Sequence, residues 1–210
     1  MTEHPIIFTA ESIRATLDGR KTQTRRVIKL IGGLNESPCN IRWSQEKNCW
    51  QNYGAGGVWI DLKCPYGSVG DTLWVRETWD FRPMKGALAK NRIAIVGYKA
   101  DDATKSVYVP QDCNPKIHKK WCSPIRMPKQ FARIFLDITG IRVERVRDIS
   151  EEDAKAEGVR PSIVGTTLDY LKYRASYQTL WNSLNAKRGY GWESNPRVWI
   201  IEFKKNEEKQ

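Results

Sequence analysis

Histidine is nearly missing from this chain: His4 and His118 are the two in 210 residues. A mechanism that relies on imidazole, as base or as metal ligand, has little to draw on. The five cysteines, Cys39, Cys49, Cys64, Cys113 and Cys122, form no Cys-x-x-Cys pair. An odd number cannot pair off internally, and a domain of this length needs no disulfide, so the chain reads as reduced and cytoplasmic. Cys113, His118 and Cys122 have ligand character but lack a fourth partner and the usual spacing, so no metal and no other cofactor is expected. No apolar run approaches the roughly 18 residues of a membrane span, and the N-terminus carries no signal-peptide core, which excludes integral membrane and classically secreted proteins. The run Gly54-Ala-Gly-Gly57 lacks the Lys-Ser/Thr of a phosphate-binding loop and reads as a flexible connection.

Positive charge is plentiful. Thirty-five Lys and Arg against 24 Asp and Glu give +11, a balance that favours a polyanionic partner. The surplus is concentrated in two stretches. Between Arg14 and Lys29, six cations (Arg14, Arg20, Lys21, Arg25, Arg26, Lys29) face Asp18 alone; between Cys113 and Arg133, six more (Lys116, Lys119, Lys120, Arg126, Lys129, Arg133) face no acid. Net +5 and net +6 account for the whole +11. A merely solubilising surface intersperses its signs. The two stretches are therefore expected to share a phosphate-facing surface, with lying on opposite sides of the fold as the alternative.

Pattern and punctuation divide the chain into short elements. Thr9 suits a helix N-cap, Phe8 can staple onto Ile13, and Gly19 can end the helix with positive φ. Thr22–Ile28 then turns β-like. Residues 30–70 are rich in Gly, Asn, Ser and Pro, with Trp43, Trp50, Tyr53 and Trp59 scattered among them and a short strand at Val58–Leu62. Thr72–Glu77 is a strand after the Gly70-Asp71 turn. Residues 80–130 form a second excursion, containing a strand at Ile93–Lys99 and punctuated by Pro110, Pro115, Pro124 and Pro128. Phe131–Thr139 and Arg142–Ile149 alternate around Gly140, which predicts two paired strands. Ser150 caps a short helix over Glu151–Glu157, closed by Gly158. A longer helix spans about Leu168–Ala186, with Tyr177, Leu180, Trp181 and Leu184 on one face. Arg197–Phe203 is a final strand, with Trp199 and Phe203 in the core, and Lys204–Gln210 is expected to fray. Short strands, about three peripheral helices and no βαβ alternation predict an α+β chain built on a small mixed β-barrel, a single domain over 1–210 with two long loop insertions.

Four blocks carry a resemblance: Asp18-Gly-Arg-Lys-Thr-Gln-Thr24 after the first helix, Leu73-Trp-Val-Arg-Glu-Thr-Trp79 after Gly70-Asp71, Ile149-Ser-Glu-Glu-Asp-Ala-Lys-Ala-Glu-Gly158, and Val198-Trp-Ile-Ile-Glu-Phe203. In this order and spacing they resemble the ASCH domain, a PUA-like β-barrel family linked to RNA, and in particular its larger bacteriophage and prophage members. The resemblance spans residues 6–203; the segments 30–70 and 80–130 exceed a minimal ASCH domain. Some small ASCH proteins are amidohydrolases that remove the acyl group of N4-acetylcytidine with a lysine, a threonine three residues later, and a glutamate on the later short helix. The resemblance places these roles on Lys21, Thr24 and Glu157. It equally admits a non-catalytic RNA-binding module or an ASCH ribonuclease, so the expected partner is a nucleoside or RNA.

The residue chemistry fits the first of these. A threonine hydroxyl needs a base, and a lysine serves only when neutral, a form that the neighbouring Arg20, Arg25 and Arg26 favour by repulsion. Glu157 ends a helix, where carbonyl oxygens disfavour negative charge, which suits a proton donor or shuttle. Residues three apart in a regular strand face opposite sides, so Lys21 must belong to the turn after Gly19, or a bulge must intervene, if it is to act with Thr24. Trp74 or Trp79 can stack on a flat base beside Arg76 and Glu77, with Arg26 on the Thr24 face reaching the same cavity. For at least one of the two tryptophans, a place in the core is the competing expectation. Arg20, Arg25, Lys116, Lys119, Lys120, Arg126 and Lys129 are the candidate phosphate contacts.

Overall fold

The computed structural model describes residues 1–29, 41–53, 57–82, 92–109, 120–163 and 171–209. Its strands are β1 (Glu3–Ile7), β2 (Gln23–Val27), β3 (Ile41–Ser44), β4 (Cys49–Tyr53), β5 (Trp59–Leu62), β6 (Thr72–Arg76), β7 (Trp79–Arg82), β8 (Ile93–Tyr98), β9 (Thr104–Tyr108), β10 (Phe135–Arg145), β11 (Ser162–Ile163), β12 (Leu171–Lys172) and β13 (Arg197–Lys205). The α-helices are α1 (Ala10–Leu17), α2 (Glu151–Ala156) and α3 (Tyr173–Asn185). The chain divides into two compact units. One comprises Met1–Lys21, Gly70–Asp137 and Lys204–Gln210; the other comprises Thr22–Val69 and Ile138–Phe203.

In the first unit β1 runs parallel to β6, with Ile7 beside Arg76, and the start of β10 runs antiparallel to β6, with Phe135 beside Trp74. β1 has no counterpart in the sequence reading, because Pro5 interrupts it. A residue without an N–H is tolerated on an edge, which is where β1 lies in this ladder. Thr9 caps α1 by accepting from the Ser12 amide at 3.2 Å, and Gly19 closes it at φ 72°. β7, β8 and β9 form a separate antiparallel ladder, pairing Trp79 with Tyr98 and Gly97 with Thr104. The rings of Trp79, Phe81 and Phe131 meet at centroid distances of 5.1–5.4 Å and pack with Trp74, Tyr98 and Met127 into one core. Lys204 and Lys205 extend β13. Beyond them Asn206 donates to both Asp137 oxygens at 3.1 and 3.0 Å and Lys209 pairs with Glu3, so the tail is held rather than frayed.

In the second unit β10 neighbours β13, and β13 runs antiparallel to β2, with Ile201 beside Thr24. Tyr177 and Trp181 of α3 pack on Val146, Ile149, Trp192 and Ile200, with Leu180 partly buried against them. Leu184 is 45% exposed, so the apolar face ends a turn earlier than its spacing predicts. α3 starts at Tyr173 rather than Leu168: the Glu151 carboxylate accepts from the amides of Tyr173 and Arg174 at 2.7 and 3.3 Å, a cap supplied from a distant helix. The turn expected at Gly140 is absent. β10 runs through it as one eleven-residue strand, and a Cβ there would lie 2.6 Å from Glu202 Oε2, so glycine makes room for a side chain instead of reversing the chain.

Both excursions hold sheets rather than loops. β3, β4 and β5 form an antiparallel ladder that gathers Trp43, Trp50, Tyr53 and Trp59, as β7–β9 do in the other unit. The α+β class stands. Among the described residues the ladders of each unit are open, so the closure implied by a barrel is not observed. No helix among them is long and apolar enough to cross a membrane.

Candidate functional site

Lys21 sits in the turn that ends α1, because its amide, like that of Arg20, donates to the Ala15 carbonyl, at 3.0 and 2.9 Å. The condition set by strand geometry is thus met: Lys21 precedes β2 instead of alternating within it. Its side chain is 5% exposed, and its ammonium lies 5.6 Å from the Phe8 ring centroid.

In the second unit, Thr22 donates its amide to the Ala156 carbonyl at 2.8 Å and Gln23 Nε2 donates to the Asp153 carbonyl at 2.8 Å. These two bonds fasten the start of β2 to α2. Thr24 lies one residue further on and is 4% exposed; Glu157 follows the last turn of α2 and is 5% exposed. Gly158, at φ 83°, turns the chain away after Glu157.

Arg25 ties the two elements together. Its side chain has no exposure; Nη2 donates to Asp153 Oδ2 at 2.6 Å, Nη1 to Glu157 Oε1 at 3.4 Å, and Glu144 lies 3.7 Å away. Arg25 is therefore removed from the candidate phosphate contacts: it neutralises a buried acidic cluster instead. Arg142 donates to the same Asp153 oxygen at 2.6 Å, holds Glu144 at 2.8 Å and pairs with Glu202. Burial alone would raise Asp153, but hydrogen bonds from both guanidinium groups outweigh it and hold the carboxyl below its usual range. The Tyr177 hydroxyl bonds Glu157, and complete burial, reinforced by that carboxylate, pushes its pKa far up. Tyr177 is thus a permanent neutral donor to Glu157. Glu157 is thus a buried helix-end glutamate, oriented by a guanidinium and a phenol.

Sequence reasoning missed Arg142, Asp153, Glu144 and Tyr177. One signal was available: three acids in the first turn of α2 exceed what its cap needs.

The base-recognition candidates of the first unit divide. Trp74 and Trp79, each 6% exposed, both belong to the core. Glu77 is 1% exposed and gripped by Arg133, Nε to Oε1 at 2.8 Å and Nη2 to Oε2 at 2.9 Å, so both its oxygens are engaged inside the protein. Arg133 also holds Asp101 at 2.8 and 2.9 Å. Arg76 lies 4.5 Å above the Trp74 ring. In the second unit Arg26 is half-buried, 5.9 Å from the Tyr66 ring.

Among the phosphate candidates, Arg20 pairs with Asp18 at 2.9 Å and Lys129 pairs with Glu3, while Lys120 and Arg126 are exposed. Lys116 and Lys119, with Cys113 and His118, lie outside the described residues, as does most of Gly54-Ala-Gly-Gly57. Among the described residues Cys49, Cys64 and Cys122 form no disulfide. Among the described residues no group of three or more His, Cys, Asp or Glu converges as metal ligands.

No protein-family profile matches the sequence, and no curated protein matches it. Among solved structures the chain is similar to an ASCH domain from Lactobacillus crispatus, with 11% identity and a TM-score of 0.39, over 97% of this chain and 79% of that one.

Proposed function

We propose that this chain binds a modified cytosine nucleoside, free or within RNA, and hydrolyses its N4-acyl amide. The observation that carries the reading is the burial of all three side chains to which the sequence resemblance points: Lys21, Thr24 and Glu157 are 5%, 4% and 5% exposed. A basic turn that merely gripped phosphate would keep its lysine in water, and a helix-end glutamate of no special use would be solvated. Buried polar side chains cost stability unless something is gained by holding them in place.

In this reading the Thr24 hydroxyl attacks the acyl carbonyl carbon while its proton passes to the neutral amine of Lys21, three residues earlier in the chain. Collapse of the tetrahedral adduct breaks the C–N bond, and the cytosine N4 departs after receiving a proton relayed by Glu157. Water then cleaves the threonine ester. The balance is amide plus water giving carboxylic acid plus cytidine. Arg25 and Tyr177 position Glu157 and touch no reacting atom.

The test follows the ultraviolet change from N4-acetylcytidine to cytidine. Wild type turns over, whereas Lys21→Ala, Thr24→Val and Glu157→Gln each lose about 10²-fold or more in kcat/KM. Absence of turnover by the folded wild type, together with salt-sensitive binding to unmodified RNA, would reject the hydrolase in favour of a binding module.

A further inference from the structure

Two arginines of the first unit stand in opposite conditions. Arg133 is satisfied by two carboxylates, Glu77 and Asp101. Arg76, at the end of β6, is half-buried, and its Nε is sealed from solvent without a hydrogen-bond partner. No carboxylate pairs with it among the described residues. The acid next to it in sequence, Glu77, is taken at both oxygens by Arg133.

Half-burying an arginine without a counter-ion is unfavourable, because the water it loses is not replaced. Stacking on Trp74 at 4.5 Å recovers part of that cost and fixes the plane of the guanidinium, but supplies no acceptor for its N–H groups. A fixed guanidinium awaiting an acceptor is a receptor for an anion with two oxygens in one plane.

We infer that Arg76, pinned on Trp74, receives a phosphate, so that the molecule bound by the first unit is a nucleotide or an RNA strand and not a free nucleoside. The identity of the base rests on the proposed hydrolase reading; the anion site does not. Phosphate is favoured over carboxylate by the +11 surplus, which concentrates polyanions at the protein surface.

Affinities are measured by calorimetry on the full chain carrying Thr24→Val, which blocks turnover. The ligands are N4-acetylcytidine, its 5′-monophosphate, cytidine, cytidine 5′-monophosphate, and a short single-stranded RNA with and without one N4-acetylcytidine. The phosphorylated forms should bind about tenfold or more tighter than the matching nucleosides. Adding Arg76→Gln should shrink that ratio to below about threefold, and Arg76→Lys, which keeps the charge but loses the fork, should restore part of it. A preference for RNA without one for the monophosphate assigns the phosphate to a strand; a preference shared by both assigns it to any nucleotide. Equal affinity for nucleoside and phosphorylated forms, or a ratio that survives Arg76→Gln, overturns the inference. An Arg76-dependent preference that ignores acetylation supports the phosphate site while removing the hydrolase reading, so the two failures are distinguishable.

Discussion

A carboxylate as enclosed as Glu77, at 1% exposure, keeps its charge only against a cation, and Arg133 holds both its oxygens. Burial nevertheless pushes Glu77 above its ordinary 4.5, and the bidentate bond offsets only part of that rise. Arg133→Met would leave the group enclosed and unpaired, at a cost of about 3–5 kcal/mol near neutral pH. Because the folded value is raised, the folded state binds the proton more tightly than the unfolded chain does. Stability is then gained as pH falls through the folded value, and lost as pH rises through it. Urea melts of Arg133→Met at pH 5 and pH 8 should show the smaller deficit, relative to wild type, at pH 5. An equal deficit at both would mean that Glu77 is not the group left exposed to the low dielectric. Arg25 carries the same logic with several acids around one cation, and the partners it bonds, Asp153 and Glu157, lie 128 and 132 residues away in the chain. Strand alternation places Arg25 opposite Thr24 and Arg26, but it does not tell which side another element will cover. The arginine's role is for that reason not legible, while Thr24, Lys21 and Glu157 are candidates only through the resemblance of the blocks around them.

At the level of elements, β10 offers the cleanest test of how the chain is organised. A glycine needed for a tight turn at positive φ tolerates alanine poorly, whereas a glycine in a continuous strand is limited only by its neighbours. Gly140 belongs to the second case, and its obstacle is the far end of Glu202, a side chain 44% exposed and free to swing. Gly140→Ala should therefore change stability by less than about 1 kcal/mol, the loss of the Arg142–Glu202 contact being offset by reduced freedom of the unfolded chain. A cost well above that, measured by thermal or urea unfolding, would restore the hairpin. The same contrast explains which elements could be read in advance. α1, α2, β6 and β13 announce themselves through caps and apolar alternation. In the ladders β3–β5 and β7–β9 only β5 and β8 do, and their partners do not. β4 places Gln51 and Asn52 at its centre and β9 opens Thr-Lys-Ser, residues that signal loops in isolation and become strand only through cross-strand partners. β1 stayed hidden behind Pro5, and α3 began late because its cap is the side chain of another helix.

For the molecule as a whole, the +11 surplus overstates what is available to a polyanion. Of the twelve cations in the two basic stretches, Lys21 and Arg25 are buried, Arg20 and Lys129 are ion-paired at the surface, and Arg133 is locked to Glu77 and Asp101. Removing these five leaves at most seven, with Arg14, Lys29, Lys120 and Arg126 exposed among the described residues. Each phosphate neutralised on a single strand contributes a slope of about −0.7 to log K against log salt, so seven contacts give about −5, against about −8 if all twelve took part. Filter binding of an unmodified single-stranded RNA between about 50 and 300 mM salt should give a slope no steeper than about −6, Arg76 adding one contact to the seven. Lys120→Gln and Arg126→Gln should each flatten it by about 0.7, since both are exposed and neither carries the fold. A slope near −8 would require the internal ion pairs to open on binding and exchange their carboxylates for phosphates. A slope near zero would take the basic stretches out of recognition altogether and leave Arg76 to meet its phosphate without long-range attraction.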